Sequence, residues 1–281
     1  MVSLGPFPLS LVMLIVAFAA AVAVGRQVAR RAIGPPPVKV MPMLGDMLVV
    51  GVVMARFGFV LAWLPQYLAD PWSIIRIGDG GFSVWVGLLA GLAFGAWRAR
   101  KAEQLRRPLA FATIAGLISW VVLGSALALM QQSTVKLPSI ELTALDGKTR
   151  SLSAMSGKPM VVNLWATWCP PCRREMPVLA RAQAQRGDVT FAFVNQGETG
   201  QAIRDYLGEE KLQLRNVLLD PFSSVSQEAG SIGLPTTLFF DAEGRLVDTH
   251  IGGLSEASLT QKLQRFGPAP TLKPNPSKEM N

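Results

Sequence analysis

The two cysteines of this chain constrain its fold more than any other feature. Cys169 and Cys172 are the only cysteines among 281 residues, and two residues separate them. An apolar, β-prone run ends just before them at Trp165, and an amphipathic segment without glycine follows them as far as Gly187. This order predicts a buried strand, a sharp turn and a helix whose first turn carries both sulfurs.

The residues between the cysteines are suited to the start of a helix. Pro170 and Pro171 fit the opening helical positions, where a backbone N–H would have no partner in any case. The N-terminus of the helix then faces Cys169, and its partial positive charge favours the thiolate over the thiol. We therefore expect Cys169 to be the more exposed and more reactive of the two sulfurs.

Three kinds of site can use such a pair. A structural disulfide normally closes a longer loop and needs no exposed turn. A zinc site takes about four ligands, whereas the chain offers two cysteines and one distant histidine, His250. A redox-active dithiol fits the strand, turn and helix. We favour that interpretation, and it predicts no metal and no cofactor beyond the Cys169–Cys172 pair.

Two segments carry a resemblance to a known family. The segment Asn163–Pro177 resembles the active-site segment of TlpA-like (ResA-like) membrane-anchored oxidoreductases, and Gly233–Asp241 resembles their cis-proline segment. The resemblance extends from about Leu137 to Phe266. It implies an α/β thioredoxin-like domain with a mixed central sheet, in which Pro235 lies against the cysteines.

The resemblance also implies a mechanism and a binding surface. Cys169 would attack a disulfide of a partner protein, and Cys172 would resolve the mixed disulfide, which leaves the partner reduced. The partner would contact Trp168, Leu234 and Pro235. Pro170, Pro171 and Trp165 would support the pair, with Trp165 and Trp168 shielding it.

Two residues depart from related patterns. Asn163 stands where thioredoxin has a buried Asp, and Asn cannot accept a proton, so water or another group must take the proton of Cys172. Glu175 is near in sequence, but its predicted helical position is compatible with exposure to solvent, so we assign it only a supporting role. Thr236 stands where cytochrome c maturation proteins typically have Glu, which argues against a dedicated haem-apoprotein reductase.

The apolar residues are concentrated before residue 131 and predict four transmembrane helices. A span needs about 20 apolar residues, and the candidate segments are Leu9–Gly25, Leu44–Leu64, Phe82–Trp97 and Leu109–Met130. No basic residue precedes Arg26. The first segment therefore lacks the basic start of a secretory signal, and we interpret it as a retained helix.

Basic residues predict the orientation of these helices. They cluster between the first and second segments and again between the third and fourth. The positive-inside rule then puts both chain ends outside the cytoplasm, with the redox domain in the periplasm or its equivalent. Before residue 131 the chain has 11 basic and 4 acidic residues, against 16 and 15 after it. The high pI thus reflects membrane topology and does not indicate nucleic-acid binding.

The membrane half resembles a second family. Leu4–Leu9, Ala55–Val60, Tyr67–Pro71 and Asp79–Ser83 follow one another as in the N-terminal part of bacterial prolipoprotein diacylglyceryl transferase. The chain has Trp85 where that family has a histidine, and the later part of the transferase is missing. The resemblance therefore implies a truncated, degenerate transferase domain. Arg56, a charge inside an apolar segment, is a candidate contact for a lipid headgroup or a partner of Asp46.

The domain limits follow from these segments. We predict a transmembrane domain over residues 1–130, a linker over 131–137, a thioredoxin-like domain over 138–266 and a disordered, proline-rich tail over 267–281. The membrane half has no cysteine, so a separate transmembrane thiol donor must supply electrons.

Two functions remain open from the sequence. One is a membrane-anchored reductase of protein disulfides that takes part in cell redox homeostasis. The other is a lipoprotein-pathway factor, whose membrane half binds lipid or lipoprotein precursor while the redox domain keeps the precursor's cysteine reduced.

Overall fold

The structure, a computed structural model, describes residues 9–33, 40–101, 103–131 and 137–267. The chain divides into two compact units between Ser133 and Thr134. Residues 132–136 of the predicted linker and 268–281 of the predicted tail lie outside the described residues.

The first unit is helical. Its helices are α1 Leu9–Ile33, α2 Val40–Ala62, the short α3 Leu64–Ala69, α4 Val84–Lys101 and α5 Glu103–Gln131. Three helical segments are long and apolar enough to cross a membrane: Val12–Arg31, Val40–Ala62 and Glu103–Ala126. α4 carries three basic residues in its last turn and is not among them, so the predicted count of four spans is not confirmed.

Glycines bring α4 close to α2. Gly87, Gly91 and Gly95 are the buried residues of α4. A Cβ atom on Gly87 would lie 2.6 Å from the carbonyl oxygen of Gly51, and one on Gly91 would lie 3.0 Å from that of Met47. Any larger residue there would force the two backbones apart. These three glycines therefore serve close packing between the two helices.

α1 packs along α5 in a similar way. A Cβ atom on Gly25 would lie 3.0 Å from Cβ of Ala112, and one on Gly116 would lie 3.2 Å from Cβ of Ala21. Ala21 and Ala112 belong to a buried cluster that also takes in Val40 and Leu44 of α2. Small residues thus form the contact between the first and last helices of this unit.

The second unit contains a seven-stranded mixed sheet. Its strands are β1 Glu141–Ala144, β2 Thr149–Ser151, β3 Met160–Trp165, β4 Thr190–Gln196, β5 Val217–Asp220, β6 Thr236–Phe240 and β7 Leu246–Ile251. They lie in the order β2-β1-β5-β4-β3-β6-β7, with β3, β4 and β5 parallel and all the other pairings antiparallel. The helices are α6 Pro170–Gln185, α7 Gly200–Glu209, α8 Ser224–Glu228 and α9 Glu256–Leu263.

The central strand β3 separates two apolar clusters. All six of its residues are buried, and alternate side chains of a strand point to opposite faces of the sheet. Val161 and Trp165 join a cluster with both cysteines and with residues of α6, α7 and α9. Val162 and Leu164 join a second cluster on the other face, with residues of β1 and α8. The turn after β3 therefore starts from a strand that packing holds on both sides.

Candidate active site

Cys169 lies at the junction between the β3 turn and α6. It is the N-cap residue of α6, and its Sγ accepts a hydrogen bond from the backbone N–H of Cys172 at 3.4 Å. Pro170 and Pro171 occupy the first two helical positions, as the sequence predicts. An N-cap sulfur with a backbone donor and the positive end of a helix beside it is in a position that stabilises a thiolate.

The two cysteines form a disulfide, with a Cα–Cα distance of 5.3 Å. In this oxidised form Cys169 is 3% exposed and Cys172 is fully buried. The predicted difference in exposure has the expected direction but is small. A partner can approach only the outer side of Cys169, and Cys172 is shielded from solvent.

The two tryptophans before the cysteines have different surroundings. Trp165 is fully buried in the cluster that contains both sulfurs, and its ring lies 5.5 Å from the ring of Tyr206. Trp168 is 67% exposed. Trp165 therefore packs beneath the disulfide, whereas Trp168 is available to another molecule at the surface.

The structure has the cis-proline that the resemblance implies, whereas the contact of Pro235 with the cysteines stays a prediction. The Leu234–Pro235 peptide bond is cis, and Pro235 is buried. Leu234 is half-buried and packs against the cluster that contains the two cysteines. The buried Thr236 hydroxyl donates to the carbonyl oxygen of Gly233 at 2.6 Å and accepts from Ser231 Oγ at 2.8 Å. These bonds fix the loop that leads into β6.

Glu175 is buried, which corrects the sequence expectation that it could face solvent. It is 1% exposed and lies one helical turn after Cys172. Asn163 Nδ2 donates to one of its carboxyl oxygens at 2.7 Å, and the Leu254 N–H donates to the other at 2.8 Å. Asn163 Nδ2 also donates to Thr237 Oγ1 at 3.0 Å. Asn163 therefore links the carboxyl group to the central sheet.

Burial gives this carboxyl group an unusual affinity for protons. Loss of water around it disfavours its charged form and raises the pKa of Glu175 to about 7, although the bonds from Leu254 and Asn163 act in the opposite direction. A group with a pKa near neutral can accept and release a proton at physiological pH. The burial of Glu175 could have been predicted from helical spacing. Glu175 lies on the same face of α6 as the buried residues Cys172, Met176 and Leu179.

A second carboxylate, which the sequence did not single out, fixes the turn before Cys169. Glu198 accepts hydrogen bonds from both the backbone N–H and the hydroxyl of Thr167. It also accepts from Asn195 Nδ2 at 2.7 Å. Thr167 follows β3 and Glu198 follows β4, so their contact appears only once the two strands are known to be parallel neighbours. Glu198 therefore positions the turn, and none of these hydrogen bonds involves a cysteine sulfur.

Arg56 lies in the helical unit and binds several groups of the connector between α2 and α4, residues 63–83. Its side chain is 11% exposed and pairs with Asp79, not Asp46, at 2.8 Å. Tyr67 also donates to Asp79, at 2.8 Å. The remaining Arg56 donors bond to backbone carbonyl oxygens, which belong to Ser73, Ile74, Arg76 and Gly81. All five guanidinium N–H groups thus have acceptors inside the protein.

Comparisons with known proteins match the two units separately. A family model described as Redoxin matches residues 132–263, and one described as Prolipoprotein diacylglyceryl transferase matches residues 1–128. Thioredoxin-like protein YneN of Bacillus subtilis is 30% identical over 130 residues, which are 45% of this chain and 75% of YneN.

Two further relatives are named as thiol:disulfide proteins. A thiol:disulfide interchange protein DsbE homolog of Paracoccus denitrificans is 30% identical over 169 residues, which are 58% of this chain and 93% of that protein. Thiol-disulfide oxidoreductase ResA of Bacillus thuringiensis is 27% identical over 133 residues, which are 47% of this chain and 76% of ResA.

Proposed function

The chain belongs to the redoxin family of thioredoxin-like thiol:disulfide oxidoreductases, and from this premise we propose that it reduces disulfides of partner proteins outside the cytoplasm. Both resemblances seen in the sequence, to ResA-like oxidoreductases and to the transferase, are confirmed. The observation that carries the proposal is the Cys169–Cys172 disulfide at the N-cap of α6, with the buried Glu175 one turn below it.

The reaction begins with the reduced pair. The Cys169 thiolate attacks one sulfur of the partner's disulfide, whose S–S bond breaks and releases a thiolate on the partner. The Cys172 thiol then loses its proton and attacks Cys169 Sγ. The mixed disulfide breaks, the second partner thiolate leaves, and Cys169 and Cys172 become joined. Two electrons have passed from the cysteine pair to the partner.

The second step needs a base because Cys172 is fully buried. We assign this role to Glu175, whose pKa of about 7 lets it take the proton at neutral pH. Asn163 cannot accept a proton, but its amide group holds the carboxyl in place through the bond of 2.7 Å. The proton acceptor that the sequence left open is thus supplied by α6 itself.

The helical unit is proposed to anchor the redox unit in the bacterial inner membrane. Three of its helical segments have the length and apolarity of membrane spans, and we propose that α4 is a fourth. The basic residues at the ends of α1 and α4 then lie in the cytoplasm. The redox domain, residues 138–266, would follow the last span into the periplasm.

Electrons must reach this domain from another protein. The sequence of the membrane half contains no cysteine. The membrane half therefore cannot relay electrons through thiols. We therefore propose a separate transmembrane thiol donor as a partner. Expressing the chain without such a donor should leave the pair oxidised, as seen by thiol labelling.

Trapping tests the reductase proposal directly. The Cys172→Ser variant of the full chain should accumulate mixed disulfides through Cys169, because the resolving sulfur is missing. Mass spectrometry of the trapped species would identify the partners. The matched variant Cys169→Ser should trap nothing and should not reduce insulin. Equal trapping by both variants would contradict the assigned roles.

A second candidate function rests on the transferase match over residues 1–128. The membrane half could bind lipid or lipoprotein precursor while the redox unit keeps the precursor's cysteine reduced. We propose that it has no transferase activity, because Trp85 replaces the histidine of the resemblance and an indole cannot exchange a proton near neutral pH. Trp85 is 75% exposed at the start of α4.

The lipid contact of Arg56 stays a prediction. In the folded connector its N–H groups are all bonded within the protein. Copurification of phosphatidylglycerol or precursor peptide with the full chain separates this function from a plain anchor, and transfer of radiolabelled diacylglyceryl from phosphatidylglycerol to a precursor peptide tests for transferase activity. We expect none, and transfer that Arg56→Ala abolishes would instead show an active transferase.

A further inference from the structure

The exposed apolar side chains of the redox unit are concentrated at one edge of its sheet. Among the described residues of this unit, the well-exposed large apolar side chains are Trp168, Phe222, Ile232, Val247 and Ile251. Trp168 and Phe222 follow the parallel strands β3 and β5, so both lie at the carboxyl edge of these strands.

The other three residues belong to the antiparallel side of the sheet. Ile232 precedes β6, which runs antiparallel to β3 and so begins at the same edge. Ile251 pairs with Thr236 at that end, whereas Val247 lies next to Leu246, which pairs with Phe240 at the other end. The edge that carries Cys169 therefore has all of these exposed apolar side chains except Val247.

Phe222 is held outward by a rigid loop. It is 80% exposed, although large aromatic side chains usually bury most of their area. The buried carboxylate of Asp220 accepts the backbone N–H groups of Ser224 and Val225 at 2.8 and 2.9 Å. Ser223 has a φ of +54°, a left-handed conformation that costs free energy in a residue with a side chain. The loop is thus fixed with its aromatic ring in solvent.

Hydrogen bonds connect this loop to the turn that carries Cys169. The Gly197 N–H donates to the carbonyl oxygen of Asp220 at 3.0 Å, and Gln196 Nε2 donates to its carboxylate at 3.2 Å. From the same end of β4, Glu198 accepts from Thr167. Phe222 and the disulfide are therefore parts of one continuous rim.

The strand spacing sets the distance along this rim. β5 and β3 lie on either side of β4, and two strand spacings are about 10 Å. An extended peptide covers about 3.3–3.6 Å per residue. A chain that binds across the rim therefore reaches Phe222 about three residues away from the atom that meets Cys169.

We propose that Phe222 is a recognition residue for an apolar side chain located about three residues from the partner cysteine that Cys169 attacks. The occupant of the rim is an extended, apolar segment of the disulfide-bonded partner, since the rim is continuous with the sulfur that must attack it. An aromatic ring on a fixed loop can bind such a side chain with little loss of conformational freedom. This inference rests on the proposed reductase function.

A positional peptide series tests it on the full chain in nanodiscs. Each disulfide-bonded peptide carries one Leu among Ser residues, at one of five positions from the reactive cysteine. We expect Leu at about the third position to raise kcat/KM about tenfold over an all-Ser peptide, within the range for one apolar contact. Phe222→Ser should remove this gain, and Phe222→Leu should keep most of it.

The controls separate recognition from damage. Val247→Ser changes an exposed apolar residue at the opposite edge and should keep the preference. All variants should reduce the all-Ser peptide and a small aromatic disulfide at the unmodified rate. The inference is wrong if Phe222→Ser keeps the positional preference, slows every substrate equally, or changes only self-association or lipid binding. If the protein reduces none of the disulfide substrates, the proposed reductase function is wrong instead.

Discussion

Arg56 and Glu175 are both ionisable groups in apolar surroundings, one in each unit of the chain, yet their environments are opposite. Arg56 pairs with the carboxylate of Asp79 at 2.8 Å, and backbone carbonyl oxygens accept its other N–H groups. Glu175 receives two hydrogen bonds, from an amide side chain and a backbone N–H, and neither donor is charged.

The difference decides what each group can do. A buried charge that has an opposite charge and a full set of hydrogen bonds holds its surroundings in one arrangement. A buried carboxyl without a cation is neutralised by a proton near neutral pH. Arg56 therefore fixes a connector, whereas Glu175 can exchange a proton with a reaction beside it. Burial alone does not distinguish structure from chemistry, but the partners of the buried group do.

Removing Arg56 should produce the largest effect. Arg56→Ala leaves Asp79 buried without its cation, which typically costs about 3–5 kcal/mol. We expect the connector between α2 and α4 to become sensitive to proteolysis in the full chain, while insulin reduction stays close to the unmodified rate. Replacing the pair together, with Arg56→Met and Asp79→Leu, removes the unpaired charge but not the loss of the bonds to the connector carbonyl oxygens, so it should restore only part of the resistance. A stable Arg56→Ala variant that merely loses bound anionic lipid would favour the headgroup contact.

Glu175→Gln should change how stability depends on pH. The folded protein holds the Glu175 proton up to a pKa of about 7, against an ordinary value of 4.5. Unfolding therefore releases a proton between these pH values, and this group's contribution to stability falls as the pH rises through that window. The loss amounts to about 3 kcal/mol by pH 8, at 1.36 kcal/mol per pKa unit.

Hydrogen exchange of β3 amides in the oxidised full chain would measure this effect. The variant should lack the decline in the free energy of unfolding between about pH 4.5 and 7. Gln can keep the local bonds, because its oxygen can accept from Leu254 while a rotated Asn163 amide accepts from its nitrogen. Glu228→Gln, the same change at an exposed residue at the end of α8, is the control. An unchanged pH slope in Glu175→Gln would show that Glu175 is not the group that titrates.

The same variant should slow resolution of the mixed disulfide. General-base catalysis contributes about 10²-fold or more, so we expect a loss of about a hundredfold in the step in which Cys172 attacks Cys169. Formation of the mixed disulfide should be unaffected. Stopped-flow measurement with a fluorescent disulfide peptide separates the two steps. If the rate of the Cys172 attack in Glu175→Gln still rises with pH around a midpoint near 7, another group accepts the Cys172 proton.

Asn163→Ala should have the smallest effect. It removes the bond of 2.7 Å to the Glu175 carboxyl, and a hydrogen bond to a charged group contributes about 1.5–3 kcal/mol. Because that bond favours the charged form, its loss should move the midpoint of the resolution step to higher pH. Thr237→Val, which removes the other acceptor of the same amide, should move it little. If the pH midpoint of the resolution step does not change in Asn163→Ala, Asn163 does not tune the Glu175 carboxyl and only packs against it.

Local sequence patterns were enough to predict most of the redox unit. β3 ends at Trp165 and α6 begins at Pro170, as the apolar run and the two prolines indicate. The helical unit was predicted less well at its ends. α1 continues through Arg26, Arg30 and Arg31, and α5 begins six residues before Leu109, because backbone hydrogen bonds continue a helix after its apolar stretch ends.

The partners of the charged groups Arg56 and Glu198 could not be predicted from local patterns. Arg56 with Asp79 and Thr167 with Glu198 are far apart in the chain, and only the folded connections bring them together. Glu175 was within reach of the sequence, since it lies on the face of α6 that Cys172 and Leu179 define. The charge of Glu175 suggested that its side chain faces solvent. The structure buries it together with its apolar neighbours on that face.

The contact between α1 and α5 has a consequence for biosynthesis. α1 is made first, but the helix whose small residues it packs against is the last of its unit to leave the ribosome. α2 and α4 are made in between and can pair through Gly51 and Gly87 before α5 exists. The helical unit is therefore completed by its last helix, immediately before synthesis of the redox unit begins. A chain that stops before α5 would leave the small residues of α1 without the helix they pack against, before any reactive cysteine is made.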